Sequence, residues 1–473
     1  MRSTAWIVCG LVTLAAIATA QTTPAGDPAG HWEGAIEMPG GNTLGVIIEL
    51  TPGDAWTGKI DIPMQGANGL PLDKIAVDGA KVSFAIKGVP GAPTFDGTVE
   101  GGRIEGTFTQ GNFKLPFSLS REKSVSGSLV RPQEPKPPFP YREIEITVPA
   151  GDHTLAGTLT LPEGDGRFPL AVFITGSGPQ NRDEELFGHK PFRLLADRLA
   201  RAGIASLRCD DRGTGKSTGD FKSCTSEDFA RDVEAQIAFL GNRSEIAADR
   251  IGLIGHSEGG LVAPMVASRK PKEVAFCVLI APPGVPGEQI LTRQLELMSG
   301  ALGMTAQQIE AAQQAQAEVL AALRESPSPS DTESRLRDAL GRAFDATPDA
   351  MRAAMGDRDE FIAAQLEQVN SPWMRSFVTY DPRPALRKVT QPVLAVWGGL
   401  DLQVDPTQNA GEVETALGEA DNRDATLKTL DGLNHLLQPA QSGAITEYAQ
   451  IETTMDEAAI ELIVGWIKQR FVK

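Results

Sequence analysis

Residues 255–260, with the sequence GHSEGG, constrain this chain more than any other stretch. They lie between a short apolar run and a segment of small residues typical of a helix. This spacing predicts a strand, a tight turn that only Gly255 and Gly259 can fit, and then a helix. Such a turn lifts the Ser257 hydroxyl clear of a sheet and sets the backbone N–H of Glu258 at a helix N-terminus. We therefore predict that Ser257 is a nucleophile and that the Glu258 N–H is one donor of an oxyanion hole.

Length and charge limit the kinds of partner. A chain of 473 residues suits two or three domains, and 41% hydrophobic with 22% charged residues is ordinary for a globular protein. The formal net charge of −17 argues against nucleic acid or an anionic membrane surface as a partner, because both would repel it. No stretch is long and apolar enough to predict a membrane span.

The N-terminus reads as a signal peptide over residues 1–20. Arg2 supplies the positive charge, residues 6–17 the apolar core, and residues 18–20 a small-residue cleavage site. This pattern predicts export, to the periplasm or outside the cell, with cleavage before Gln21.

Three cysteines follow the predicted signal peptide, and an odd number cannot pair completely. Cys209 and Cys224 could form a disulfide across the loop between them. Cys277 lies in an apolar strand, which favours an inert core thiol.

Residues 31–122 differ in character from the rest of the chain. Short β-like runs alternate with glycine-rich turns, a pattern typical of a small antiparallel barrel or sandwich. Its polar residues converge on no catalytic set, which favours a structural accessory domain over one that binds an extracellular ligand such as a carbohydrate or lipid. A proline-rich linker is predicted over residues 123–142.

Strands and helices alternate over residues 143–473, which predicts a mainly parallel sheet. Residues 287–385 interrupt the alternation with helical, Ala- and Gln-rich sequence. This insertion is expected either to cap the sheet's C-terminal edge or to form an ordinary helical subdomain, and the sequence leaves both open.

Gly215-Lys216-Ser217 resembles the end of a phosphate-binding loop, but Asp210 stands where that motif needs a glycine. An aspartate there would direct negative charge at a phosphate, so nucleotide binding is rejected. Arg212 or Lys216 is instead expected to pair with Glu258 or Asp211.

A serine nucleophile needs a neighbouring base, and the chain has five histidines. His435 follows the last predicted strand, in the order nucleophile, acid, base. His31 and His153 belong to other parts of the fold, His256 lies in the turn itself, and His189 is the weaker alternative. We therefore predict His435 as the base.

The orienting acid should follow an earlier strand, which favours Asp401 over Asp405 and Asp431. The two competitors are predicted to be cap or turn residues. The second oxyanion donor is predicted to be the backbone N–H of Ser177, on the loop after the first buried parallel strand.

These segments together resemble exported bacterial α/β-hydrolases, in particular a carboxylesterase branch with a helical cap and an N-terminal β domain. The resemblance is carried by residues 175–180, 211–217, 255–260, 398–404 and 433–438. It implies Ser257, Asp401 and His435 as a catalytic triad. The chain departs from the family at Asn181, where relatives often carry an acidic residue.

The expected reaction is hydrolysis of a small carboxylic ester with a short or medium acyl chain, without a metal or organic cofactor. The sequence leaves open a serine exopeptidase or amidase with the same triad. It also leaves open an extracellular binding protein whose hydrolase half is vestigial.

Overall fold

A computed structural model describes residues 27–37, 43–53, 55–62, 67–87, 89, 93–110, 113–121, 131–325, 329–347, 352 and 357–472. The signal peptide predicted over residues 1–20 lies outside the described residues, as do residues 123–130 at the start of the predicted linker.

The first sheet is a closed antiparallel barrel in which each strand pairs with the next and β8 returns to β1. Glycines allow close approach between its strands. A Cβ on Gly34 would lie 1.9 Å from the Ser118 carbonyl oxygen, and one on Gly106 would lie 2.0 Å from that of Asp96. The predicted small all-β domain is therefore confirmed as a barrel. Its strands are β1 Gly30–Glu37, β2 Thr43–Thr51, β3 Thr57–Ile62, β4 Ala67–Asp78, β5 Lys81–Ile86, β6 Thr94–Glu100, β7 Arg103–Gln110 and β8 Phe113–Ser120.

The second sheet has eight strands in the order β16-β15-β14-β13-β11-β12-β10-β9. An antiparallel pair, β9 and β10, opens it, and the strands from β11 onward are parallel to one another. β11 is almost continuously apolar, as expected for a parallel strand covered on both faces. The strands are β9 Tyr141–Ala150, β10 His153–Pro162, β11 Phe168–Ile174, β12 Ala205–Cys209, β13 Ile246–His256, β14 Cys277–Ile280, β15 Val393–Gly398 and β16 Ala425–Leu430.

Helices cover both faces of this sheet. Leu199 of α1 and Ile463 of α12 pack in the core on one face, while Val233 of α2 and Val413 of α10 belong to the core on the other. The described helices are α1 Pro191–Arg201, α2 Ser226–Gly241, α3 Glu258–Arg269, α4 Gly287–Ala301, α5 Ala306–Glu325, α6 Pro329–Ala346, α7 Arg358–Val369, α8 Pro372–Thr379, α9 Arg383–Leu386, α10 Pro406–Glu419, α11 Ile445–Tyr448 and α12 Glu457–Phe471.

Helices α4 to α9 all lie between β14 and β15 in the chain, although these two strands are direct neighbours in the sheet. A doubly covered, mainly parallel sheet interrupted by helices at this point is the predicted α/β-hydrolase fold, which is confirmed.

The carboxyl ends of the parallel strands meet at one edge. Ile174 at the end of β11 is opposite Gly255 on β13, and Gly255 is opposite Leu279 on β14. The loops after β15 and β16, which carry Asp401 and His435, leave the same edge. Ligand sites in such sheets form at this edge, so the topology gathers the candidate residues there.

Two further sequence expectations concern helices and thiols. Among the described residues, no helix combines the length and apolar character needed to cross a bilayer. Cys209, Cys224 and Cys277 are free thiols, so the disulfide considered between the first two is not formed.

Candidate active site

The turn between β13 and α3 holds Ser257 in an unusual backbone conformation. β13 ends at His256, α3 begins at Glu258, and the serine between them has φ 53° and ψ −115°. A Cβ on Gly255 would lie 2.0 Å from the carbonyl oxygen of Gly259, and one on Gly259 would lie 2.1 Å from that of Ile174. Only glycine fits at either position, as the motif predicted.

Asp401 and His435 form a buried hydrogen-bonded pair. Nδ1 of His435 is 2.7 Å from Oδ2 of Asp401, and the two residues are 4% and 2% exposed. The other carboxylate oxygen, Oδ1, accepts the backbone N–H groups of Gln403 and Val404. The acid is thus held by its own loop, and it leaves Nε2 of His435 as the nitrogen that can exchange a proton.

The competing acids are occupied elsewhere. Asp405 caps the N-terminus of α10 by accepting from the Thr407 N–H, and its second oxygen accepts from Arg293. Asp431 lies exposed in the turn after β16. Of the three acids, Asp401 is the one that contacts His435.

Three of the other histidines also have defined partners. His31 lies between Glu33 and Glu49 on the barrel, and His153 bonds to Asp232. His189 bonds to Thr454 and to the backbone carbonyl of Tyr448, and burial lowers its pKa to about 4. Each of the three is held by groups other than Asp401.

His256, the residue before Ser257, has a role that the sequence reasoning missed. Its Nδ1 is 2.9 Å from Oε1 of Glu184, and its Nε2 is 3.1 Å from the backbone carbonyl oxygen of His435. The two imidazole rings lie 4.7 Å apart between centroids, so the His435 ring rests against the residue preceding Ser257. Burial opposes charge on His256, but the Glu184 carboxylate outweighs it and raises the pKa of His256.

The loop after β11, predicted to carry an oxyanion donor, is held by two acidic side chains. Glu184 accepts from the Gly176 N–H at 2.6 Å, and Asp211 accepts from the Thr175 hydroxyl and the Gln180 N–H. Ser177, between these anchors, is exposed.

The backbone N–H groups of Ser177 and Glu258, the two predicted oxyanion donors, make no hydrogen bond to another described residue. No described residue therefore competes with a ligand for either N–H group.

The carboxyl group of Asp211 is unusual because its buried environment raises its pKa. Burial raises the pKa of its carboxyl to about 8, helped by the nearby Glu258 and Glu184 carboxylates and opposed by its two hydrogen-bond donors. The adjacent Arg212 does not neutralise it, because Arg212 pairs instead with Asp232. Lys216 is 3.8 Å from Glu145, so the expectation that either cation would pair with Glu258 or Asp211 is wrong.

The Glu258 side chain points away from its backbone N–H into the protein. Its Oε1 accepts from the Ser226 hydroxyl at 2.6 Å and from the indole N–H of Trp373, on α8, at 2.7 Å. Burial raises the pKa of this carboxyl. The second oxygen, Oε2, has no partner among the described residues, and Glu258 and Gln236 line a cavity of about 30 Å³. That volume is enough for about two water molecules.

Across the described ranges, no group of three or more His, Cys, Asp or Glu side chains is arranged to hold a metal ion. The groups assembled at this edge are a strained serine, a buried acid–histidine pair and free backbone donors. Such a set suits nucleophilic attack on a carbonyl carbon.

Comparison with known proteins finds sequences that are similar to this chain. Residues 190–354 match the family described as "Serine aminopeptidase, S33". The chain is 24% identical over 370 residues to a protein named Esterase EstD from Thermotoga maritima, covering 76% of this chain and 77% of that protein.

Similar solved structures include Est1E from Butyrivibrio proteoclasticus with bound ferulic acid, at 18% identity and a TM-score of 0.40, covering 68% of this chain and 96% of the other. They also include the Pyrococcus furiosus esterase Pf2001, at 17% identity and a TM-score of 0.41, with coverages of 71% and 92%.

Proposed function

We propose that this chain, which has the α/β-hydrolase fold, hydrolyses carboxylic esters through an acyl-enzyme on Ser257. The observation that carries this proposal is the buried 2.7 Å hydrogen bond between Asp401 and His435, at the sheet edge where the β13–α3 turn presents Ser257. An acid that fixes one imidazole nitrogen leaves the other to act as a base.

In the first step, the Ser257 hydroxyl oxygen attacks the ester carbonyl carbon while Nε2 of His435 takes its proton. Asp401 stabilises the resulting imidazolium through Nδ1. The negative charge on the carbonyl oxygen is held by the N–H groups of Ser177 and Glu258, which have no other partner among the described residues. His435 then gives its proton to the departing alcohol.

In the second step, His435 removes a proton from water, and the hydroxide attacks the acyl carbon. Collapse of the second tetrahedral intermediate returns the proton to Ser257 and releases the acid. Since both steps use the same donors, one site serves both.

We assign the substrate to esters of short- and medium-chain acids. One observation supports esters as the class, namely the similarity to a protein named as an esterase. The acyl length is inferred from the insertion α4–α9, which reaches the residue after Ser257 through the hydrogen bond from Trp373 to the Glu258 side chain. We expect this insertion to limit the volume of the substrate pocket, which favours small acyl groups.

The test is a panel of nitrophenyl esters of graded acyl length, assayed with the wild-type chain and with Ser257→Ala. We expect hydrolysis that declines with long chains and a loss of at least about 10³-fold in kcat/KM in the variant. A fluorophosphonate should label the wild-type chain at Ser257 and leave the variant unlabelled. Hydrolysis that survives the substitution would remove Ser257 as the nucleophile.

A second candidate is a serine aminopeptidase, favoured by the description of the family that matches residues 190–354. Aminoacyl nitroanilides assayed beside nitrophenyl esters of the same amino acids separate the two, because the leaving group alone then differs. A higher kcat/KM for the anilides than for the matching esters would make the aminopeptidase the better assignment.

We also propose that the chain is exported, since residues 1–20 carry the pattern of a signal peptide. Expression of the full chain in a bacterial host and N-terminal sequencing of the periplasmic protein tests this. A mature product that begins at Gln21 is expected, and one that keeps Met1 in the cytoplasm contradicts it.

A further inference from the structure

We propose that Glu184 and His256 form a positioning pair, with His256 held as an imidazolium, that ties the oxyanion loop to the loop of His435. The inference rests on the proposed function, because it assigns roles around the same site. Neither residue is part of the predicted triad, and neither is placed to touch a reacting atom.

The first half of the link joins Glu184 to the oxyanion loop. A single oxygen, Oε1, accepts both the Gly176 N–H at 2.6 Å and Nδ1 of His256 at 2.9 Å. Glu184 is 1% exposed, so these bonds form away from competing water. Gly176 directly precedes Ser177, and a shift of the Glu184 carboxylate therefore moves the predicted oxyanion donor.

The second half joins His256 to the base. Its Nε2 lies 3.1 Å from the backbone carbonyl oxygen of His435. That carbonyl sits in the same residue as the imidazole that Asp401 orients through the side chain. His435 is therefore held at two points, its ring by Asp401 and its main chain by His256.

The two acceptors also determine the charge of His256. A carboxylate and a backbone carbonyl accept hydrogen bonds and donate none, so both ring nitrogens must carry a proton to bond them. The ring is then a cation, and Glu184 is the anion that balances it in a buried position.

This arrangement accounts for a histidine immediately before the nucleophile. β13 is flanked by β11 on one side and leads toward β14, β15 and β16 on the other. A side chain at the end of β13 is thus central enough to reach both the loop after β11 and the loop after β16. One buried ion pair thus fixes the positions of two separate loops that must contact the same substrate.

Two substitutions of His256 should each remove one of its two hydrogen bonds and keep the other. Asparagine places an N–H near the position of Nδ1, so His256→Asn keeps the Glu184 contact and loses the one to His435. Glutamine reaches the position of Nε2, so His256→Gln does the reverse. We expect each to lower kcat by about 10-fold and His256→Ala by about 10²-fold, with KM within about twofold, because a misplacement near 1 Å is costly at the chemical step.

Glu184 offers a conservative rescue. Glu184→Gln keeps an oxygen that accepts both donors, whereas Glu184→Ala removes it. The glutamine variant should retain at least about 10-fold more kcat than the alanine variant. His153→Gln is the matched control, since it removes another buried histidine bonded to an acid, on β10, which β11 and β12 separate from β13 in the sheet. Its kcat, measured on folded protein, should equal that of the wild type.

A spectroscopic readout tests the charge directly. The chain has five histidines, so selective ¹⁵N labelling gives few signals, and the one that His256→Gln removes is assigned. At pH 7 this ring should show two protonated nitrogens. A neutral-ring signature overturns the inference, as does unchanged kcat in both single-bond variants.

Failure of the proposed function leaves a different pattern. In that case the wild-type chain has no activity that depends on Ser257, which removes the basis for a positioning role. Wild-type activity that depends on Ser257, together with variants at 184 and 256 that match it, overturns the positioning pair alone.

Discussion

At the scale of single residues, Ser257 stores strain in the backbone. Its φ of 53° with ψ of −115° is a conformation that residues with a side chain rarely adopt. The turn holds it there because Gly255 and Gly259 pack against the backbone around them.

Variants of Ser257 that relieve this strain should have a higher free energy of unfolding than variants that keep it. Ser257→Gly relieves the conformation, whereas Ser257→Ala keeps a Cβ in the same place. We expect the glycine variant to exceed the alanine variant by about 1 kcal/mol in free energy of unfolding, after allowance for the greater flexibility of unfolded glycine. Thermal melting of the two inactive variants measures the difference, and equal melting temperatures would argue against strain.

Asp401 and Asp405 make a matched pair for testing the acid. Asp401→Asn can no longer fix the His435 tautomer with a charge, so kcat should fall by about 10⁴-fold. Asp405→Asn disturbs the N-terminal cap of α10 and should cost about 1 kcal/mol of stability or less while leaving kcat within a few-fold. Comparable loss of kcat in both would contradict the assignment of Asp401.

Asp211 should make stability depend on pH. Folding raises the pKa of this carboxyl from 3.8 to about 8, so the folded protein keeps a proton that the unfolded chain loses between these values. Stability attributable to this group is therefore full below pH 4 and falls as the pH rises toward 8.

Asp211→Asn removes the pH dependence that this carboxyl contributes. The asparagine amide can still form hydrogen bonds with the Gln180 N–H and the Thr175 hydroxyl. Its melting temperature relative to the wild type should be higher at pH 7.5 than at pH 5. A difference that stays constant with pH would show that Asp211 does not hold the proton.

Local signals made some of these residues visible in the sequence. Glycine spacing marked Ser257, and position after a strand marked Asp401 and His435 as candidates. Glu184 and His256 carry no such mark, because their contact joins residues far apart in the chain and depends on where two loops meet. The pairing of Arg212 with Asp232 was missed because Asp232 lies on α2, 20 residues further along the chain, and the contact depends on how that helix packs.

At the scale of elements, α8 connects the insertion to the turn that bears Ser257. The Trp373 indole donates to Glu258 and its ring stacks on Phe377, with centroids 4.9 Å apart. One side chain thus links a helix of the insertion with the first residue of α3.

Trp373→Phe should keep the ring contact and lose the hydrogen bond. The buried Glu258 then retains only Ser226 as a donor, and we expect a loss of about 1–3 kcal/mol in free energy of unfolding. Trp466→Phe is the control, because the Trp466 indole N–H has no partner in the described part of the chain. Denaturant melts should show the larger loss for Trp373, and equal losses would assign the effect to ring volume.

Elements also show where sequence patterns fail. β4, Ala67–Asp78, contains Gly69 and Pro71, which disfavour a strand. Its pairing with β3 and β5 in a closed barrel overrides that preference. β11 and β15 of the parallel sheet were easier to predict because they are almost continuously apolar.

At the scale of the whole molecule, every candidate site residue follows the barrel in the chain. The segment after it is held by loops that follow strands of the second sheet: Arg131 donates to the backbone carbonyls of Phe187, Ala449 and Ile451, and Gln133 bonds to the backbone of Thr454 and Met455. These contacts are therefore expected to stabilise the part of the chain that contains the second sheet.

A chain that begins at residue 131 should therefore retain the wild-type kcat for a soluble nitrophenyl ester within about threefold, since the site positions are untouched. A chain that begins at residue 141 lacks Arg131 and Gln133 and should melt at a lower temperature than the first. Loss of activity in the chain from residue 131, at full folding, would give the barrel a part in catalysis.

The insertion α4–α9 enters and leaves between two strands that are already paired, β14 and β15. Closing a longer loop costs little, about 0.6 kcal/mol for each doubling of its length. Evolution can thus lengthen, shorten or replace this segment with little penalty to the sheet beneath it. Divergence among descendants of this gene should concentrate there, so new substrate preferences can arise while the chemistry below is inherited unchanged.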